Sequence, residues 1–348
     1  MSNIAELDKN FKVETNIERH GLMMRSIDEE CFSLYGVFKE NGIYRRMPEK
    51  VAVSVSEAVR CLHMQTAGGR IRFVTDSEYI AVSVILNNVS RMPHFALTGS
   101  AGVDIYADSR YLCTIRPPYD FEDRYEGVID LGEKKLREIT VNMPIYSGVT
   151  AFYIGLNENS KVMKADKYKY ENPVVFYGSS ITQGGCASRP GMTYEAILSR
   201  RLDFDYINLG FSGNAKGEQE MADYIASLDM SAFVYDYDFN APTEEHLKAT
   251  HEKLFKTVRE KHPELPVIIM SRPKFYLNEH VERMREIIKK TYVNAVNDGD
   301  NNVYFIDGST LMDEKIRDNG TVDGTHPTDL GFFSMAEKIA PVLEEALK

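Results

Sequence analysis

The sequence predicts a two-part α/β protein: an antiparallel β-sandwich followed by a parallel sheet covered by helices on both faces. Two observations carry this. Up to about residue 165, short β-branched or alternating runs are separated by turn residues, with few helical stretches between them. From residue 172 onward, short apolar runs alternate with longer amphipathic stretches. Repeated βα units of that kind imply a three-layer parallel sheet. The chain has 348 residues, enough for two cores, and divides into 1–165 and 166–348.

In the first part, strands are expected at 51–55, 71–75, 80–85 and 139–143, punctuated by Gly68-Gly69, Asn87-Asn88 and Pro117-Pro118. The polar, lysine-rich stretch 157–172 reads as the linker. In the second part, strands are expected at 174–177, 206–209, 232–237, 267–270 and 303–306. Helices are expected at 194–201, 218–227, 243–261, 279–297 and 330–347. Ligands of such sheets bind at the carboxyl ends of the strands, where the connecting loops gather.

Composition narrows the function classes. The formal net charge of −11 disfavours a nucleic-acid partner. The short basic clusters Arg45-Arg46 and Lys134–Arg137 read as solvated surface. No run approaches the ~18 apolar residues of a membrane span, and the first nine residues show neither a basic start nor an apolar run. Cys31, Cys61, Cys113 and Cys186 are scattered without a CxxC pair and read as free thiols of a reducing compartment, so a cytoplasmic location is expected.

Four blocks carry chemistry. The strand at 174–177 runs into Gly178-Ser179-Ser180, where a tight turn would lift a serine hydroxyl above the sheet edge. Asn208-Leu-Gly-Phe-Ser-Gly213 follows the next strand, and a glycine there lets its N–H approach a ligand. Asp236-Tyr-Asp-Phe-Asn240 ends the third strand. Asn240 offers a side-chain N–H, while Asp236 and Asp238 form a weaker alternative as a metal pair. Asp323-Gly-Thr-His326-Pro327 precedes the last helix. Of eight histidines, only His326 combines a loop, a carboxylate three residues earlier and a stiffening proline. His246 and His251, on a charged helix, read as solvated, and His262 reads as a helix end. A serine needs a base to remove its proton, and the base needs an orienting acid. Asp323 and His326 supply both. Cys186 is the competing nucleophile.

Taken together and in this order, the four blocks resemble those of the SGNH, or GDSL-type, hydrolase superfamily. In addition, Ser100-Ala-Gly102-Val-Asp-Ile-Tyr106 resembles the Gly-x-Asp-Leu-Tyr motif of the β-rich domain that precedes some SGNH esterases. Ser179 stands where the family has Asp, and Asp238 where it has the Gly of Gly-x-Asn. The resemblance implies a flavodoxin-like catalytic domain after a jelly-roll-like sandwich. It also implies a serine esterase of small acyl groups, acetyl above all, with acylated sugars a frequent substrate class. Ser180 would be nucleophile, His326 base and Asp323 its orienting acid. The Ser180 N–H, the Gly213 N–H and the Asn240 side chain would form the oxyanion hole. No cofactor and no metal are expected. The partner is a small-molecule or oligosaccharide ester, and self-association is left open. Two alternatives stand beside this reading: a carbohydrate-binding or regulatory protein on an inactive hydrolase scaffold, and a hydrolase of longer acyl chains.

Overall fold

The computed structural model describes residues 15–273 and 278–348. The first nine residues, read above for a targeting signal, lie outside them.

The N-terminal part is a sandwich of two antiparallel sheets. One has the order Leu22–Ser26, Gly148–Asn157, Tyr79–Asn88, Arg124–Asp130. The other has Val162–Met163, Arg70–Thr75, Arg137–Asn142, Val103–Ala107 and Arg110–Ile115, with Ser33–Tyr35 also paired to Arg70–Thr75. Alternation decides the faces. Ile71, Phe73, Ile105, Ile139 and Val141 meet Ile80, Val82, Val84, Phe152 and Ile154 in one buried core. The opposite face of Arg70–Thr75 carries Arg70 and Arg72, which are buried as well. Arg70 pairs with Asp205 and lies over the Tyr206 ring at 3.8 Å, so this face docks on the C-terminal part. The expected linker is built in: Val162–Met163 pairs with the sheet, and Tyr168 stacks under Arg72 at 4.1 Å.

The C-terminal part is a five-stranded parallel sheet, ordered Tyr206–Gly210, Val174–Gly178, Ala232–Asp236, Val267–Met270, Val303–Ile306. Alternate residues of each strand feed two cores. Phe176, Val234, Ile268 and Met270 face helices Tyr194–Leu202 and Asp329–Ala346. Val175, Tyr177, Phe233, Tyr235 and Ile269 face helices Gln219–Ala226, Glu244–Lys261 and Glu279–Asn297. The three layers, the parallel sheet and the sandwich agree with expectation, and each long helix lies within a residue of its predicted bounds.

Three expectations are corrected. Residues 51–55 form no strand but lie in helix Glu49–Val55, with Pro48 at its N-cap and Glu49 in its first turn. The alternating valines misled: Val51 and Val55, one helical turn apart, pack on the C-terminal core with Ala52, while Val53 is 55% exposed. Arg45 and Arg46 are not solvated; each is 2% exposed. Arg45 bonds His63 and lies beside Glu40 and Glu49. His251 is also buried, tilted against the Tyr235 ring with centroids 4.8 Å apart and stacked on Tyr237 at 5.7 Å, and burial pulls its imidazole down to about 3. One residue in the helical repeat places it on the inner face, although its neighbours in sequence are charged. His246, expected to be solvated, is only partly exposed, with its Nε2 2.7 Å from Lys216 O, and His262 is the helix C-cap, as expected.

Among the described residues no helix is long and apolar enough to cross a membrane.

Candidate active site

The carboxyl edge of the parallel sheet brings the four chemical blocks together. Strand Val174–Gly178 ends in a short helix, Ser180–Gln183, capped by Ser179, whose hydroxyl accepts the Ile181 N–H at 3.2 Å. A β-carbon at Gly178 would overlap Asp236 Oδ1 and Thr182, so the turn that raises Ser180 requires glycine there. Thr182 donates to Asp236 Oδ1 at 2.5 Å, tying this helix to the neighbouring strand.

Ser180 Oγ lies 2.9 Å from His326 Nε2, and His326 Nδ1 lies 2.8 Å from Asp323 Oδ2. The other carboxylate oxygen accepts the backbone N–H of Thr325 at 3.0 Å and of His326 at 2.8 Å. Asp323 is thus fixed before it fixes the imidazole. Partial burial pushes its carboxyl up, but the bonds from the His326 backbone and ring and from Thr325 more than offset this and bring it down to about 2. The sign follows: a depressed carboxylate is charged at every pH above that value, and its contribution is lost only as pH falls through it. Between about pH 4 and pH 9 the Asp323 carboxyl should therefore add no ionisation of its own to the profile of kcat/KM. A pH–rate profile checks this; a limb of slope two would mean that the carboxyl titrates as well.

The second block forms a loop over the same edge. Phe211 N–H donates to Gly178 O at 2.9 Å, and Gln183 Oε1 accepts the Ser212 N–H at 3.0 Å. Gly213 follows at φ +70 with open space around it, so glycine serves the backbone conformation there and not a close contact. Asn240 Oδ1 accepts the Ala215 N–H at 3.2 Å, which leaves the Nδ2 donor without a bond among the described residues. Asp236 and Asp238 do not make an open metal pair. Asp236 is held by Thr182, and Asp238 is ion-paired with Arg272 at 2.9 Å. Burial pushes both carboxyls up. Cys186 lies beside the site, but burial and then the Asp323 charge push its thiol up to about 11, away from the reactive thiolate.

Sequence reading missed the supports. Gln183 Nε2 donates at 2.5 Å to Gln65 Oε1 from the N-terminal part. Arg46 donates to Leu62 O at 2.8 Å, Gln65 O at 2.7 Å, Asn208 O at 2.9 Å and Gly210 O at 2.7 Å, under the loop that carries Gly213. Tyr146 OH donates to Ser180 O at 3.2 Å. The Gly102–Tyr106 motif clamps the loop after the serine helix: buried Asp104 accepts from Arg189 at 2.7 Å and from the Gly191 N–H at 2.8 Å. Isolated arginines and glutamines carry no sequence signal of such roles, whereas the motif around Asp104 did. The sandwich also supplies a cleft of 450 Å³ beside the site, lined by Arg91, Met92, Pro93, Phe95, Leu97 and Tyr119. Phe95 packs edge-on against Tyr146 with centroids 5.2 Å apart, and His94 lies 5.6 Å from the His326 ring.

Residues 171–344 match the model of the GDSL-like lipase/acylhydrolase family. Residues 26–162 match the family described as the N-terminus of SGNH-hydrolase-type esterases. Among solved structures, the chain is similar to a protein from Bacteroides ovatus described as a GDSL-like lipase. The identity is 29% and the TM-score 0.84, over 94% of this chain and 98% of that one. It is similar to the salicylyl-acyltransferase SsfX3 of a tetracycline biosynthetic pathway at 20% identity and TM-score 0.78, over 95% and 100% of the two chains. It is similar to the acetyl xylan esterase Est2A of the rumen bacterium Butyrivibrio proteoclasticus at 12% identity and TM-score 0.61, over 94% and 99%. Among curated proteins the chain has no match.

Proposed function

The chain belongs to the GDSL-like lipase/acylhydrolase family, and from that premise we propose that it is a serine esterase that hydrolyses small acyl esters, acetyl above all, on carbohydrates. The observation that carries the reading is the unbroken relay from Ser180 Oγ through His326 to Asp323, with contacts of 2.9 and 2.8 Å. In the proposed cycle Ser180 attacks the ester carbonyl while His326 takes its proton and Asp323 holds the ring in the tautomer with the proton on Nδ1. The oxyanion develops against the Ser180 N–H, the Gly213 N–H and Asn240. His326 then protonates the departing alcohol. Water, activated by the same imidazole, releases the acid from Ser180. The reading needs no metal and no cofactor.

The carbohydrate part of the proposal draws on the likeness in fold to Est2A and to a family two carbohydrate esterase of Clostridium thermocellum in complex with cellohexaose, the latter at TM-score 0.59. A complete relay argues against an inactive scaffold. The two domains are proposed to divide at residues 165 and 166, with the sandwich overhanging the site through residues 91–97. Acyl transfer to a second alcohol uses the same first step and is the reading that SsfX3 brings to mind. A substrate panel tests all of these. Acetylated xylo- and cello-oligosaccharides, and aryl esters from acetyl to decanoyl, are assayed with and without added alcohol. Acetyl esters are expected to exceed octanoyl esters in kcat/KM by about tenfold or more, with free acid as the product. A preference for long chains would favour the lipase reading, and capture of the acyl group by the alcohol would favour transfer.

A further inference from the structure

Two residues that the proposed reaction does not use stand beside its base. His94, exposed on the sandwich loop, and Cys186, buried just after the serine helix, offer ligand atoms that lie with one from His326 all within 4.8 Å of one another. One imidazole comes from each part of the molecule, their ring planes 45° apart. The set of two imidazoles and one thiolate suits a soft or borderline divalent cation such as Zn²⁺, which takes nitrogen and sulfur ligands at about 2.0–2.3 Å in tetrahedral geometry. Closing a set 4.8 Å across onto one ion needs shifts of about an ångström, and His94 is exposed enough to make them.

His326 is already dressed as a metal ligand. Its Nδ1 proton is held by the Asp323 carboxylate at 2.8 Å, which leaves the lone pair on Nε2, and a carboxylate behind a ligating histidine is the usual support of such a site. That same Nε2 lone pair accepts from Ser180 at 2.9 Å. One lone pair cannot serve both a serine proton and a metal ion.

We propose that His94, Cys186 and His326 form an inhibitory site for a zinc-class divalent cation, which turns the esterase off by taking the base away from Ser180. Binding replaces the Cys186 thiol proton, which leaves to solvent, and forms metal bonds to sulfur and to the two imidazole nitrogens. Water fills the fourth position. No oxidation state changes. The loss of activity rests on the proposed esterase reading, but the site itself does not.

The test has two arms. In the first, Co²⁺ is titrated into the Ser180→Ala protein and thiolate-to-cobalt absorption is followed. One equivalent is expected to bind; the absorption should vanish in the added Cys186→Ser variant, and affinity should fall by about tenfold or more with His94→Ala. No absorption, or absorption that survives Cys186→Ser, overturns the site. His94 is exposed, so its variant decides the matter if the cysteine variant does not fold. In the second arm, Zn²⁺ should suppress hydrolysis of an aryl acetate by the otherwise unaltered enzyme, a chelator should restore it, and His94→Ala should resist by about tenfold or more. Equal sensitivity of the two proteins overturns the inhibitory role. If no ester is hydrolysed at all, the esterase reading fails, and the cobalt arm still decides the site.

Discussion

Ser180→Ala is expected to lower kcat for ester hydrolysis by about 10⁴- to 10⁶-fold, the usual loss when a nucleophile in a serine relay is removed. Its fold should survive. The Ser180 hydroxyl bonds only His326 among the described residues, so no buried partner is stranded. Ser179→Ala is the informative control. Its hydroxyl caps the serine helix, so the variant should lose about 1 kcal/mol of stability while keeping most of its activity. The reverse pattern, a dead Ser179 variant beside an active Ser180 variant, would move the nucleophile by one residue.

The second large effect is on stability. Arg46→Met is expected to destabilise the protein by about 3–5 kcal/mol, because three buried carbonyls and one part-buried carbonyl would lose the guanidinium donor at once. The guanidinium also lies over the Phe211 ring at 4.8 Å. Methionine keeps much of the volume but none of the hydrogen bonds. Lysine should recover only part of the loss, since one ammonium cannot span acceptors at Leu62, Gln65, Asn208 and Gly210. Activity should fall too, because Gly210 anchors the loop that presents Gly213. The check is the urea midpoint of the full chain; an unchanged midpoint would show that Arg46 is a bystander.

These two sites mark what could be read from sequence and what could not. Ser180, Gly213, Asn240, Asp323 and His326 could be nominated from sequence because the proposed chemistry needs those residue types at strand ends and before the last helix; of these, the fold brings Ser180, His326 and Asp323 into direct contact. The parallel sheet was legible because its strands are apolar on both faces. Arg46 was not, since two adjacent arginines look alike whether solvated or buried; only the carbonyls that converge on them decide, and those come from distant segments. His251 failed for a related reason: its charged neighbours lie on other faces of the same helix. Residues 51–55 failed because three alternating valines fit a strand, and the tertiary contact of Val51 and Val55 overrode that local preference. The motif around Asp104 was legible as a motif, but its clamp on Arg189 and Gly191 appears only when the sandwich is seen against the serine loop.

The central claim is that Ser180 forms the covalent intermediate with His326 as its base, and covalent trapping tests it most directly. The protein is treated with a serine-directed aryl phosphonate and digested, and the adduct is located by mass spectrometry. One adduct on Ser180, absent when His326 is replaced by alanine, is the predicted result. An adduct on Ser179 or Cys186, or labelling of Ser180 that does not need His326, would contradict it.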